Sequence, residues 1–298
     1  MKSKRTNRFA HLIFIGPAFF FYTMFWIIPT LVAIWISFTR WNGISWAHIK
    51  WAGFANYFKL FNDRFFYTAL QNNLLFVFCA VAIIFFTALA IALILNLKPF
   101  GWRLFQTTFF VPIVISSVVI GLLFKLFLSP TTGIINEFAD ILNLESFKNV
   151  QWLGSKETAT YSVMTVYIWR DLGFSILLFG AGLQSVPKDL IEAAKIDGAS
   201  DLVIFFQIMM PLAKPAVVTV AIIYFVWIFN DFMWPLIYLN DHDLRTVTLG
   251  MMSFQGKYSG ATTLKTAALM LATMPPMIVF LIFRNQIQSG LVDGALKR

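Results

Sequence analysis

Residues 73–96 read NLLFVFCAVAIIFFTALAIALILN and contain no charged side chain. An α-helix rises about 1.5 Å per residue, so this run is long enough to cross about 30 Å of hydrocarbon. The chain has five more apolar runs of similar length, at roughly 12–38, 105–127, 159–183, 216–239 and 264–285. The sequence therefore predicts an all-α polytopic membrane protein with about six transmembrane helices.

The composition of the whole chain supports this interpretation. Hydrophobic residues make up 59% of the chain and charged residues only 12%, whereas about a quarter of a soluble domain is charged. The net charge is +9, but the basic residues lie between the apolar runs and form no continuous stripe. That distribution favours topology signals and contact with lipid headgroups, and it argues against nucleic-acid binding.

The basic residues also predict an orientation. A basic N-terminal group precedes the first apolar run, which is longer than the apolar core of a signal peptide. We therefore expect a retained first helix with the N-terminus in the cytoplasm. An even number of helices returns the C-terminus to the same side. The segments then placed inside, including the short loop with Lys98 and Arg103, hold more basic residues than the outer ones.

On this basis the chain divides into three parts. Residues 1–68 hold the N-terminal tail, the first helix and an outer segment. Residues 69–285 form the core transmembrane domain, which includes a cytoplasmic loop at 185–215, and residues 286–298 form a cytoplasmic tail. The outer segment mixes many aromatic residues with a few charged ones, as amphipathic segments at a membrane surface do, and docking of a partner is the alternative.

Several kinds of chemistry have no sequence signal. The chain has no G-x-x-x-x-G-K-[ST] phosphate-binding loop, no H-E-x-x-H pair and no nucleophile elbow. Its histidines are far apart in sequence, and its single cysteine, Cys79, lies inside an apolar run. We therefore expect no catalytic residue, no metal site and no cofactor bound by this chain. Transport against a gradient would draw its energy from another chain or from an ion gradient.

The loop at 185–215 carries ordered helix signals. Pro187 suits a first helical turn, Gly198 suits the position after a helix end, and Ser200 can cap a second helix. Pro211 and Pro215 are expected to interrupt any helix that continues into the next span. The small side chains around Gly198 would let another backbone approach closely. Spacing alone leaves open whether the loop binds a partner or packs on its own bundle.

This loop resembles the Glu-Ala-Ala loop of permease subunits of binding-protein-dependent ATP-binding-cassette importers. The matching residues are Glu192-Ala193-Ala194, Asp197-Gly198-Ala199, Phe205-x-x-Ile208-x-x-Pro211 and Pro215. The resemblance implies the type I importer permease fold, with Glu192 to Ala199 seated in a cleft of a cytoplasmic ATPase subunit. It also implies that an ATPase dimer binds the ATP and that an external solute-binding protein delivers the solute. The chain would lie in the plasma membrane of a bacterium or an archaeon.

Three further stretches resemble the carbohydrate-importing branch, of the maltose and glycerol-phosphate type. They are Phe54-Ala-Asn56-Tyr57, Phe109-Phe110-Val-Pro112, and Asn230-Asp231-Phe232 with Pro235-Leu236. The first half of the chain resembles one permease of that branch, whereas the ending after Gly290 resembles its usual partner. The resemblance implies a heterodimer of two permeases, and a homodimer remains an alternative.

Polar side chains inside the predicted spans are candidates for the solute path, because such groups are costly in hydrocarbon and often functional. The candidates are Tyr167, Arg170, Asp171, Trp227, Asn230 and Asp231. Aromatic faces beside amides and carboxylates suit sugars, but the same groups could brace helices. Because neighbours on a helix point about 100° apart, Arg170 and Asp171 are not expected to neutralise each other. Glycerol phosphate as solute and an ion-coupled secondary transporter remain alternatives.

Overall fold

The computed structural model describes residues 8–147, 150–184, 186–257 and 262–296, and for some helical residues, among them Pro215, the backbone alone. Ser185, the first residue of the predicted loop, and the last two residues of the tail lie outside this part. The described residues are mainly helical, with a single two-stranded antiparallel sheet. The elements in chain order are α1 Arg8–Tyr22, a π-turn Thr23–Ile27, α2 Ile28–Ser37, β1 Thr39–Arg40, a 3₁₀ turn Trp46–His48, β2 Lys50–Trp51, α3 Ala55–Phe61, α4 Arg64–Asn96, α5 Trp102–Val114, α6 Ser117–Phe127, α7 Ile134–Ile141, a 3₁₀ turn Glu145–Phe147, α8 Lys156–Gln184, α9 Lys188–Ile196, α10 Asp201–Val203, a π-turn Ile204–Met209, α11 Met210–Asn230, α12 Met233–Tyr238, a 3₁₀ turn His242–Leu244, α13 Val247–Lys257 and α14 Thr262–Leu296.

The described helices agree with the predicted number of spans. Four are long and apolar enough to cross a membrane on their own: Phe14–Ser37, Arg64–Asn96, Lys156–Gln184 and Thr262–Gln286. Two bent pairs of helices bring the number to six if each pair counts as one span. The fold class predicted from the sequence is therefore confirmed.

The third predicted span is not one straight helix. α5 ends at Val114, α6 begins at Ser117, and the two helices meet at 98°. Ile115 and Ser116 between them have extended backbone angles, with ψ of 140° and 132°. Pro112 in the last turn of α5 donates no backbone hydrogen bond, and serine favours the position before a helix. The fifth predicted span also breaks, because α11 ends at Asn230 and α12 starts only at Met233.

The expected interruption at Pro211 and Pro215 is found as a sharp bend of the helix at Pro215, without a gap in the helical backbone. Helical backbone continues from Asp201 to Asn230, bent by 59° near residues 215–216. A π-turn, Ile204–Met209, lies just before Pro211, as the π-turn Thr23–Ile27 lies just before Pro29. A π-turn widens the helix locally. We infer that this extra room accommodates the proline ring, which would otherwise crowd the preceding turn.

Residue contacts divide the chain into two units, and the first comprises Met1–Tyr67 with Met251–Thr273. Its outer segment folds as the β1–β2 hairpin followed by α3. The side-chain amide of Asn56 donates to the carbonyls of Ser37 and Thr39, both at 2.8 Å. The hydroxyls of Ser37 and Tyr57 lie 2.6 Å apart, and all four residues are buried. Asn56 therefore satisfies carbonyls at the end of α2 that have no helical partner.

Replacement of Asn56 by leucine is expected to destabilise this outer segment by about 2 kcal/mol or more, since two buried carbonyls lose their donor. Asn62→Leu is the matched control, because Asn62 is exposed and donates only to Phe58 of its own helix. Limited proteolysis of residues 39–61 in detergent would measure the difference. Equal cleavage rates in the two variants would contradict the assigned capping role.

The second unit comprises Thr68–Gly250 with Met274–Arg298. α8 lies at its centre and packs against α5, α11 and α12, while α6 packs against α12. The largest fully buried side chains here are aromatic: Phe179, Tyr224, Phe229, Trp234 and Tyr238. At Gly173, α8 lies directly against the backbone of Phe109 in α5.

Candidate functional site

The loop that resembles a coupling loop folds as a helix, a glycine turn and a second helix. At the end of α9, the N–H of Gly198 donates to the carbonyl of Lys195 at 3.1 Å, and the N–H of Ala199 donates to that of Ala194 at 2.9 Å. Gly198 has φ of +82°. These bonds form a Schellman motif, which needs a left-handed residue at this position and so favours glycine. The Oγ of Ser200 accepts a bond from the N–H of Val203 at 3.4 Å and caps α10.

This α9–α10 segment has one face packed on the protein and one open face. Ala194 is buried and Ile208 packs against the core, whereas Glu192, Ala193, Asp197, Gly198 and Pro211 are exposed and Ala199 is half-buried. Large apolar side chains lie on the open face, a feature not predicted from the sequence. Ile196 is 85% exposed, and Leu202 and Phe206 are also exposed. The signal available in the sequence was Ile196 itself, an isoleucine between the charged residues Lys195 and Asp197 of a predicted loop.

Two loops lie at the same end of the second unit. Asn96, the last residue of α4, and Gln184, the last residue of α8, line one cleft. The short loop after Asn96 and the α9–α10 segment after Gln184 therefore lie at one end, which we call the α9 end. The distribution of basic residues predicts that these two loops lie on the same side of the membrane, and the shared cleft agrees with that prediction.

The opposite end of α8 is tied to a different loop. The Nζ of Lys156 lies 3.3 Å from the carboxylate of Asp241 and 2.6 Å from that of Asp243. The amide of Asn72 donates to the carbonyl of Asp243 at 2.6 Å. Two contacts lower the pKa of Asp241 below its ordinary value. The larger is the hydrogen bond from the backbone N–H of Asp243, and the second is the hydrogen bond from the Lys156 ammonium. The carboxylate of Asp241 therefore loses its charge at a lower pH than an ordinary aspartate does.

Among the candidate solute-path residues, Arg170 and Asp171 form an ion pair. Their guanidinium and carboxylate atoms lie 3.0 Å apart, and Asp171 is only 3% exposed. The expectation that these neighbours do not neutralise each other is wrong, because the long arginine side chain reaches around the helix. The Tyr224 hydroxyl of α11 donates to the Asp171 carbonyl at 2.9 Å, and the Arg170 guanidinium lies 6.0 Å from the Trp234 ring centroid.

The other candidates lie around the break between α11 and α12. The Asp231 carboxylate accepts the N–H of Trp234 at 3.2 Å, and its carbonyl accepts the hydroxyl of Thr248 at 2.7 Å. Asn230 is exposed and donates to Val226 of its own helix at 2.8 Å. Asn73 of α4, which the sequence analysis did not single out, donates to the carbonyl of Phe229 at 3.3 Å. Its signal in the sequence was a polar side chain at the start of the apolar run 73–96.

The candidates thus divide by exposure. Tyr167, at 4% exposed, packs edge-on against Trp234 with ring centroids 5.8 Å apart. Trp227 is 47% exposed and stacks on Phe174. The structure therefore brings Tyr167, Arg170 and Asp171 into one buried cluster, whereas Trp227 and Asn230 remain open to contact. The described residues contain no group of side chains able to hold a metal ion.

A family model and individual relatives of known description assign the chain to the same family. Residues 86–293 match the family described as "Binding-protein-dependent transport system inner membrane component". The chain is 35% identical to the probable ABC transporter permease protein YurN of Bacillus subtilis, over 70% of this chain and 71% of YurN. It is 33% identical to the arabinooligosaccharides transport system permease protein AraP of the same organism, over 72% of this chain and 67% of AraP.

A crystal structure of a bacterial alginate ABC transporter, in complex with a periplasmic protein that carries an alginate pentasaccharide, includes a chain of the same fold. The TM-score is 0.78 at 20% identity, with 92% of each chain covered. The family model covers most of the chain, including all of the α9–α10 segment. The chain belongs to the family of inner membrane permease components of binding-protein-dependent ABC transport systems.

Proposed function

We propose that this chain is the permease subunit of an ATP-driven oligosaccharide importer and that the α9–α10 segment is where a separate ATPase subunit docks. The observation that carries the docking role is the rigid Schellman turn flanked by exposed apolar side chains. Ile196, Leu202 and Phe206 are large apolar side chains that the described part of this chain leaves exposed. Apolar residues on a rigid projecting element are typical of the centre of a protein interface.

The assembly follows from that docking site. Two permease subunits would form the path, and two copies of the ATPase would bind the α9 ends in the cytoplasm. A solute-binding protein would dock at the opposite end, which includes Lys156 and the loop with Asp241. Both termini of this chain would lie in the cytoplasm. A heterodimer of permeases is the arrangement we favour, and a homodimer is its alternative.

The pairing of charges favours a neutral solute. Arg170, the cation among the candidate solute-path residues, is already paired with Asp171 inside the same helix. Trp227 and Asn230 remain open to contact, and they offer an aromatic face and an amide. A sugar ring stacks on such a face and bonds such an amide without needing a charge, whereas glycerol phosphate would need an unpaired cation. The names of relatives such as AraP support the same class. In this proposal Tyr167, Arg170 and Asp171 brace the helices, with Asp231 holding the break before α12.

Transport by the whole assembly tests the proposal. The chain would be co-purified with its ATPase, partner permease and binding protein, and reconstituted into vesicles. We expect ATP-dependent uptake of neutral oligosaccharides that persists when ionophores collapse all ion gradients. Uptake that stops with the gradient while ATP is maintained would contradict ATP coupling. Uptake of glycerol phosphate in preference to any oligosaccharide would contradict the solute class alone.

A further inference from the structure

A small cleft opens at the α9 end of the second unit, between the ends of α4 and α8 and the start of α5. Its volume is about 160 Å³, enough for about five water molecules or one small polar group. Such a volume is too small for an oligosaccharide. The lining combines three amide side chains and an indole with an aliphatic floor: Asn96, Gln106, Gln184 and Trp102, over Ala92, Leu95, Ile176, Leu177, Gly180 and Ala181.

The cleft lies at the edge of the bilayer. The loop between α4 and α5 contains only Leu97 to Gly101, and both helices belong to the membrane-spanning set. So short a loop keeps its residues at the depth of the lipid headgroups. Leu97 is 82% exposed, and Phe100 and Leu104 are also largely exposed. Apolar side chains that project from a headgroup-level loop reach into the acyl region rather than into water.

Two basic residues, Lys98 and Arg103, neighbour residues that line the cleft. Lys98 is exposed in the loop beside Asn96, and the Arg103 guanidinium lies 5.3 Å from the centroid of the Trp102 ring that lines the cleft. The sequence has no aspartate or glutamate in residues 92–106 or 172–187, the stretches that supply the lining. A group that enters the cleft therefore meets cations at the rim and neutral donors inside, an arrangement suited to an anion.

We propose that this cleft binds the headgroup of an anionic phospholipid from the leaflet at the α9 end. The amides of Asn96, Gln106 and Gln184 would donate to the phosphodiester oxygens, and Lys98 and Arg103 would balance the charge. The acyl chains would run along the exposed apolar side chains of α5. Basic clefts between membrane helices at the cytoplasmic side are sites where lipid headgroups bind. Since Gln184 is only a few residues before α9, bound lipid would stabilise the position of the residues at which the α9–α10 segment begins.

Photolabelling of the full chain tests this site without any transport assay. The probe is a phosphatidylglycerol with a diazirine near its headgroup, mixed into phosphatidylcholine nanodiscs, and labelled peptides are identified by mass spectrometry. Wild-type protein should be labelled within residues 92–106 and 176–184. Gly180→Leu should abolish that labelling, because a Cβ at Gly180 meets no atom within 4 Å and the side chain can occupy the cleft. Size-exclusion profiles verify that this variant is folded.

A second pair of variants tests the charge. Arg103→Gln should reduce labelling about five-fold, the effect of one cation near an anionic surface, whereas Lys125→Gln, an exposed cation of α6 outside the lining, should not. Equal labelling of wild type and Gly180→Leu would overturn the site. Equal labelling by a phosphatidylcholine probe would overturn its preference for anions. Displacement of the probe by soluble glycerol phosphate would show a site for a free phosphate rather than a lipid.

Discussion

Gly173→Ala is expected to be the most destabilising single-methyl substitution in the membrane region. A Cβ at this position would overlap the Phe109 carbonyl oxygen and would lie 2.9 Å from the Phe110 Cα. These are backbone atoms of α5, so no side chain can turn away, and the two helices must separate. Inserting one carbon into a tight core costs about 1–3 kcal/mol, and a contact with rigid backbone should reach the upper end of that range.

The same helix provides a matched control. Gly180 lies about two turns further along α8, and a Cβ there meets no atom within 4 Å. Alanine favours a helix over glycine by about 1 kcal/mol at either position, so Gly180→Ala should be neutral or slightly stabilising. Gly121→Ala should fall between the two, because its new contact is the movable Ile237 side chain. The variants can be ranked by thermal unfolding of the full chain in detergent, measured as the loss of the monodisperse chromatographic peak. Equal unfolding temperatures for Gly173→Ala and Gly180→Ala would contradict the close helix contact.

Local chemistry explains why some parts of this fold could be predicted from sequence. Apolar length identifies a span because the bilayer sets a minimum length whatever the span packs against. Gly198 and Ser200 could be assigned because a helix end is closed by residues within a few positions of it. Both arguments need only neighbouring residues, and the structure confirms both.

Other features depend on residues far apart in the chain or on side-chain reach, and sequence patterns do not show them. Asn56 caps carbonyls 17 and 19 residues earlier. The contact of Gly173 with Phe109 needs the crossing of α8 and α5. The bend at Ile115 could not be predicted because apolar residues flank it on both sides. A hydropathy pattern gives the length of an apolar run but not the direction of the helix axis. At the candidate solute path, the ion pair of Arg170 with Asp171 removed the charge that the sequence analysis had treated as available.

Ile196→Glu is expected to abolish ATP-driven transport while leaving the permease folded. Ile196 is 85% exposed, so the substitution disturbs nothing within this chain. In the proposed complex the side chain lies in an apolar part of the ATPase surface, where an unpaired carboxylate would lose its hydration. Loss of a central interface residue costs about 2 kcal/mol or more, which corresponds to at least a 30-fold weaker complex. Co-purified ATPase and the ATP-dependent uptake rate would both be measured.

The control is Leu97→Glu, at the same end of the molecule and 82% exposed, but in the loop that we assign to the lipid. It should retain ATPase binding. If both variants lose the ATPase equally, the effect is one of charge at this face and the docking role of Ile196 is wrong.

Gly198→Val tests the turn rather than the contact, because φ of +82° is strained for a β-branched residue. Valine should tilt α9 relative to α10, so ATPase binding would weaken although Ile196 is present, which separates the geometry of the turn from the chemistry of its apolar face.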